Sequence, residues 1–256
     1  VNAGFKQGMF FMEDQNNFCF ETSECEQLFN IYEENEYMQM PNFVTSDTYL
    51  QVAHMYLAYV QKYIEKTQLT SALQLSFEGL MKQARMMSAT QKGEEKELLE
   101  FVQCFSAVGL NLITDEEVQG LPESIRADYN AETSACRAHS TRPSAFMRVN
   151  MFPYELFTPR GHYTRSDEQK RYFHSMMWMQ TAQFTSSDEL AMKRAMMLAL
   201  VYNAMSQPCR DAFKNMDSMI EQMMGKSDNV SIIQMADYMR QQGINSIKDV
   251  MNKKTR

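Results

Sequence analysis

Apolar residues recur at helical spacing along most of the chain, most clearly in the run Tyr49, Leu50, Val52, Ala53, Tyr56, Leu57, Val60, Tyr63 and Ile64. Thr45 or Ser46 stands where an N-cap is needed, and Asp47 suits the positive helix end. The stripe is broad enough to predict burial on more than one side. Before it, Ser23 and Glu26 have the spacing of a capping box, and Leu28, Phe29, Ile31 and Tyr32 give that helix an apolar side up to Asn35 and Pro41. Two further helices are predicted from Thr70 to about Thr90 and from about Glu94 to Ile113, joined at Gly93 as an antiparallel hairpin.

Between Asp115 and Ser134 the pattern weakens to shorter helix, interrupted by Gly120 and Pro122. From Cys136 to Arg165 the period vanishes, and Pro143, Pro153 and Pro159 predict a long irregular loop. Phe146, Phe152, Tyr154 and Phe157 would keep that loop ordered. Helix resumes behind the N-cap Ser166, with Asp167 and Glu168 in the first turn, and runs through Tyr172, Phe173, Met176 and Met177 to about Thr181. Others are expected from Ser187 to about Ser206, from Pro208 to Gly225, and from Ile232 to Gln242 before Gly243. Strand alternation is confined to GMFFMED and FCFET near the N-terminus, two short strands or extended arms. The expected fold is all-α, a single compact domain over 1–256 with about nine helices. N-terminal helices would occupy 20–113, the ordered loop 136–165, and C-terminal helices 166–251.

Composition agrees: 44% apolar and 22% charged residues suit a folded protein, while 9 Gly and 6 Pro are too few for the tight turns of an all-β fold. No run of about 18 apolar residues suggests a transmembrane segment. The first residues lack an export signal, and the start at Val1 reads as that of a processed or trimmed chain. The cysteines 19, 25, 104, 136 and 209 contain no CxxC, which excludes a zinc ribbon. Cys19 and Cys25 are spaced for a short disulfide loop or remain free, and Cys104 reads as packing.

The net charge of −7 is uneven, with 7 Lys and Arg against 18 Asp and Glu up to residue 120, then 18 against 14. Internal pairing of the two halves is the simplest account. A pI near 5.2 argues against nucleic acid as a partner. The 24 methionines admit copper through Met38 with Met40, Met176 with Met177 and Met179, or Met216 with Met219 and Met223. The last two sets fall at helical core positions, so core packing is the preferred reading, ahead of a Met-rich partner groove, and neither metal nor cofactor is expected.

Chemistry concentrates between Thr158 and Trp178, where Arg160, His162, Tyr163, Arg165, Arg171 and His174 stand beside an apolar helix start. The segment PRGHYTRSDEQKRYFHSMMW resembles the signature of the bacterial family called domain of unknown function 3160. CEQLFNIYEENEYMQMPNFVTSDTYLQVAHMYLAY is similar to that family's early segment, and GKSDNVS at 225–231 is a third, weaker echo. GKSDNVS departs from the family at Asp228 and Asn229, where two adjacent acids usually stand. The resemblance implies an exported cell-envelope protein, extracytoplasmic, often with a lipid anchor upstream, and no assigned activity. Family members are usually longer, so the chain would correspond to an N-terminal portion.

The family-like polar residues are Thr45, Asp47, His54, Arg160, His162, Tyr163, Thr164 and Arg165, with Arg171 one turn further on. In a functional reading Arg160 and Arg165 offer planar donors to a carboxylate, phosphate or acidic sugar, and His162 supplies a titratable group. The helix start at Ser166 would add backbone donors, and Asp47 would lie beside the 160–165 loop. In a structural reading the arginines staple the loop to helix ends and His162 is a satisfied core histidine. His54 and His174 read as packed histidines, and Cys136 with His139 is too small a ligand set for a metal. Three functions follow as expectations: binding of an envelope glycan, peptide or protein; a hydrolase of an envelope polymer using His162 with Asp47 or Glu155; or a structural subunit with an exposed Met-rich patch completed by a partner.

Overall fold

The computed structural model describes residues 28–39, 42 and 44–252. The expected strands at GMFFMED and FCFET, the Ser23–Glu26 capping box, the Cys19–Cys25 pair and Pro41 lie outside the described residues. Among the described residues there are nine α-helices of ten or more residues, a five-residue terminal helix and one two-stranded sheet, so the fold is all-α as expected. Close contacts divide the chain into a unit ending at Val60 and a unit beginning at Gln61.

The first unit holds helix α1, Leu28–Tyr37, and most of α2, Ser46–Ile64. Thr45 caps α2, its Oγ1 accepting from the Thr48 amide at 3.1 Å. The Tyr32 hydroxyl donates to Thr48 Oγ1 at 3.3 Å, tying the two helices together. The burial expected of α2 does not occur: none of its residues is buried, and Tyr49 and Tyr56 are 71% and 67% exposed. Helical spacing reports that a helix has an apolar face, while burial needs an opposing surface as well. His54 is exposed, not packed.

In the second unit the end of α2 passes directly into a π-turn, Glu65–Leu69, and then into α3, Thr70–Ser88. The Thr70 amide and hydroxyl both reach back to the Glu65 carbonyl, the i→i+5 closure that defines such a turn. Helix α4, Gly93–Thr114, is the core: every residue from Leu98 to Ile113 is buried. This helix is long and apolar enough to cross a membrane, and 89% of its most apolar stretch is buried inside the protein. Several of its polar side chains are hydrogen-bonded. Ser106 donates to the Val102 carbonyl, Gln103 to Ser88 Oγ, and the Glu100 carboxylate accepts from Ser124. At Gly109 the backbone of α4 nests against the Phe77 ring of α3, where an added Cβ would stand 2.3 Å from a ring carbon.

Helix α5, Glu123–Ala138, extends beyond the predicted weak helix and takes in Cys136. The segment expected to be irregular therefore begins at His139, which ends α5 at a positive φ of 53°. Within it, β1 (Arg142–Ser144) and β2 (Val149–Phe152) form an antiparallel hairpin, followed by 3₁₀ turns at Tyr154–Phe157 and Gly161–Thr164. Strands of three and four residues are too short for alternation to register. The order expected from the aromatics is present, since Phe146, Phe152, Tyr154 and Phe157 are all buried. Phe146 stacks on Phe101, and Arg194 lies over Phe101 while donating to the Phe146 carbonyl at 2.8 Å. The arginine that staples the loop is thus Arg194, on a later helix.

Helix α6, Asp167–Thr181, starts at its predicted cap, Ser166 accepting from the Gln169 amide. It is tied to α4 by Trp178, whose indole donates to the Phe105 carbonyl, and by Ser175, whose hydroxyl donates to that of Gly109, both at 2.9 Å. Helix α7, Glu189–Ala204, is capped by Asp188; α8, Gln207–Met224, has Pro208 in its first turn and Gly225 at its end; α9, Ile232–Gln241, carries a Ser231–Gln234 capping box; and α10 spans Ile247–Met251. Methionine is largely a core filler here: Met176, Met196, Met197, Met205, Met216 and Met239 are buried, and Met177, Met179, Met219 and Met223 pack against the core.

A carboxylate-locked turn with two outward arginines

The 3₁₀ turn Gly161–Thr164 begins with a glycine in the left-handed region, φ 59°, and is closed by Thr164 Oγ1 donating to the Gly161 carbonyl at 2.9 Å. Arg165 N donates to the His162 carbonyl at 3.2 Å. Two side chains of the turn point to one carboxylate. His162 Nε2 lies 2.8 Å from Glu65 Oε2, and the Tyr163 hydroxyl donates to Glu65 Oε1 at 2.5 Å. Glu65 is the first residue of the π-turn, so the extra residue in the helical ladder sets its carboxylate here.

The locking pair is packed from behind. The Tyr163 ring centroid is 4.0 Å from that of His162 and 4.8 Å from that of Phe173. Burial, reinforced by the Glu65 carboxylate, pushes the Tyr163 phenol well above its ordinary value, so it remains a donor at physiological pH. Burial and Glu65 do the same to Tyr172. Lys66 and Glu168 make a 3.5 Å ion pair beside the site, largely exposed and of small energetic weight.

Arg160 and Arg165 flank the turn, both exposed, and neither makes a side-chain hydrogen bond or ion pair among the described residues. The stapling role expected in the structural reading is therefore not theirs. Arg171 is half-buried on α6 and acts on Asp167 only through its charge. The α6 N-terminus offers an anion less than the sequence suggested. Its Gln169 amide is already taken by Ser166, and Asp167 and Glu168 occupy the first turn, with Lys170 and its 2.9 Å bond holding Asp167 below the usual carboxylate range.

Thr45 and Asp47 belong to the first unit, where the Thr45 hydroxyl is spent on capping α2. Glu155 is exposed and makes no bond to His162; the carboxylate on that histidine is Glu65. His174 is half-buried against His139, with Nε2 atoms 3.2 Å apart, as its packed reading expected. Among the described residues no group of three or more His, Cys, Asp or Glu is arranged to hold a metal. Cys104, Cys136 and Cys209 are free, and burial raises the thiols of Cys104 and Cys136, which makes them poor nucleophiles.

Glu65 was the residue that sequence reasoning missed. Its signal lay in the five residues EKTQL between two helical patterns, a gap without Gly or Pro. A helix that changes phase with nothing to break it must absorb an insertion, and a π-turn is the usual way.

A family model described as protein of unknown function (DUF3160) matches residues 6–256. The chain belongs to this family. No curated protein and no solved structure matches it. In this DUF3160 protein the weakest of the three family-like segments, GKSDNVS, is occupied by helix ends: Gly225 closes α8 at φ 87°, Ser227 Oγ accepts from the Asn229 amide, and Ser231 caps α9.

Proposed function

We propose that this DUF3160 protein is a binding protein of the bacterial cell envelope, and that Arg160 and Arg165 take an acidic group of an envelope glycan or peptide. The observation that supports this is the division of labour within one turn. His162 and Tyr163 are committed to Glu65 and hold the backbone still, while the two guanidinium groups face solvent without partners. Planar donors of this kind fit carboxylates and phosphates two bonds at a time. An extracytoplasmic location belongs to the same proposal and rests on the resemblance to exported envelope proteins.

The hydrolase reading is weaker. Glu65 and His162 form a carboxylate–imidazole pair, but the depression beside it, bounded by Lys62, Lys66, Thr70 and Glu168, is shallow and holds no serine or cysteine nucleophile. A third reading, a subunit completed by another surface, draws on the exposed face of α2, although the apolar residues there are chiefly Tyr49, Leu50, Tyr56, Leu57 and Tyr59, not methionines.

The binding reading is tested by titrating the protein with oligogalacturonate and with a neutral oligosaccharide of equal length. Binding of the acidic oligomer alone is expected, weakened roughly tenfold or more by Arg160→Gln or Arg165→Gln, since a charge-assisted contact is worth about 1.5–3 kcal/mol. Equal binding of both oligomers, or arginine variants that bind like the parent, would refute it.

A further inference from the structure

A cleft of about 360 Å³ opens elsewhere in the second unit, between α5 and the β-hairpin. Its helix wall carries Asp128 and Glu132, one turn apart and so on one face. Its hairpin wall carries Arg142, and the alanines 131, 135 and 145 leave the space between unfilled.

The three charged groups are in different circumstances. Glu132 is 3% exposed and fully employed: Ser144 Oγ donates to Oε1 at 2.7 Å and the Tyr154 hydroxyl to Oε2 at 2.5 Å, which fastens the hairpin and the following turn to α5. Asp128 is half-buried and makes no hydrogen bond or ion pair among the described residues. Arg142 rests over the Tyr154 ring at 5.7 Å and likewise has no hydrogen-bond or ion-pair partner. Structural duty thus takes up all of Glu132, whereas Asp128, with the Arg194 guanidinium as an attractive charge, and Arg142, placed over Tyr154 and an attractive charge for Glu132, keep their hydrogen-bonding capacity unused. Opposite charges that share a cleft and do not pair with each other leave a gap that a ligand bearing both complementary charges would close.

We propose that this cleft binds a small zwitterion, a free α-amino acid or a short peptide, with its ammonium on Asp128 and its carboxylate on Arg142. The alanines, with Phe146 behind them, receive a modest apolar side chain. The volume is at the lower end for small-molecule sites and suits one or two residues.

The test is calorimetric titration of the full chain with glycine, alanine and leucine, with their dipeptides, and with N-acetyl-leucine and leucinamide, which each lack one charge. A zwitterion from one of the first two groups is expected to bind, and the half-charged compounds to bind roughly tenfold more weakly or worse. The two arms separate amino acid from peptide as the source. Asp128→Asn and Arg142→Gln should each weaken binding by a similar factor, and because Arg142 also rests over the Tyr154 ring, a cooperative thermal transition is checked for each variant to show that it is folded. No binding by any zwitterion, binding indifferent to loss of either ligand charge, or binding unchanged in both variants would overturn the proposal.

Discussion

Glu65 should be the residue on which the 161–164 turn depends, and a Glu65→Ala substitution measures how much. The carboxylate accepts one bond from Tyr163 and one from His162, with side chains of Glu65 and His162 that are 13% and 21% exposed. Charge-assisted hydrogen bonds contribute about 1.5–3 kcal/mol each, and partial access of water to the orphaned partners lowers the cost. A loss of about 2–4 kcal/mol from the stability of the second unit is therefore expected. Glu65→Gln should lose about half as much, since its amide can still accept from Tyr163. The assay is urea unfolding followed by fluorescence. Trp178 is the chain's one tryptophan, and it is fully buried, bonded to Phe105 in the core helix. A double-mutant cycle with Tyr163→Phe isolates the contact, with an expected coupling of about 1–2 kcal/mol. Coupling below about 0.5 kcal/mol, the scatter between independent sites, would refute the claim that Glu65 locks the turn.

Gly109→Ala should cost about 1–3 kcal/mol, read from the same unfolding curves, because the new methyl group would meet the fully buried Phe77 ring at 2.3 to 2.6 Å and neither helix can withdraw without opening the core. His174 gives a pH dependence. Burial, then the neighbouring His139 and Arg137, lowers its pKa from 6.5 to about 4, so the unfolded chain binds the proton more readily. Its contribution is complete above pH 6.5 and is lost as pH falls through about 4, and the thermal midpoint of His174→Gln should fall less steeply than the parent's over that range; parallel curves would count against the assignment.

Helix ends were the most legible part of the fold, because their signals are local and chemical. Ser166 capping α6, Pro208 opening α8 and Gly225 closing it stand where the sequence placed them. The hairpin at 142–152 was illegible for the opposite reason. Its strands are held by Glu132, a residue of the preceding helix that bonds Ser144 and Tyr154, and no pattern within the strands announces a partner ten or more positions away. The exposed face of α2 shows a third limit: an apolar stripe encodes a demand for cover, and only tertiary structure says whether it is met.

The candidate site divides along the same line. Arg160, His162, Tyr163 and Arg165 are equally conspicuous as letters, yet the turn sends the middle two inward and leaves the outer two in water. That sorting depends on a carboxylate nearly 100 positions earlier, delivered by a helical insertion whose five residues include no Gly or Pro. A histidine beside two arginines invites a catalytic reading when its partner is unknown. With Glu65 holding both His162 and Tyr163, the proposed binding role falls to the arginines. A guanidinium on a fixed turn loses less freedom on binding than one on a mobile loop, so it binds an acidic group more tightly for the same contacts. Loosening the turn through Glu65→Ala should therefore weaken oligogalacturonate binding even though Glu65 is itself an acid whose removal makes the neighbourhood more positive. Electrostatics alone predicts the reverse sign, so that one measurement separates preorganisation from charge.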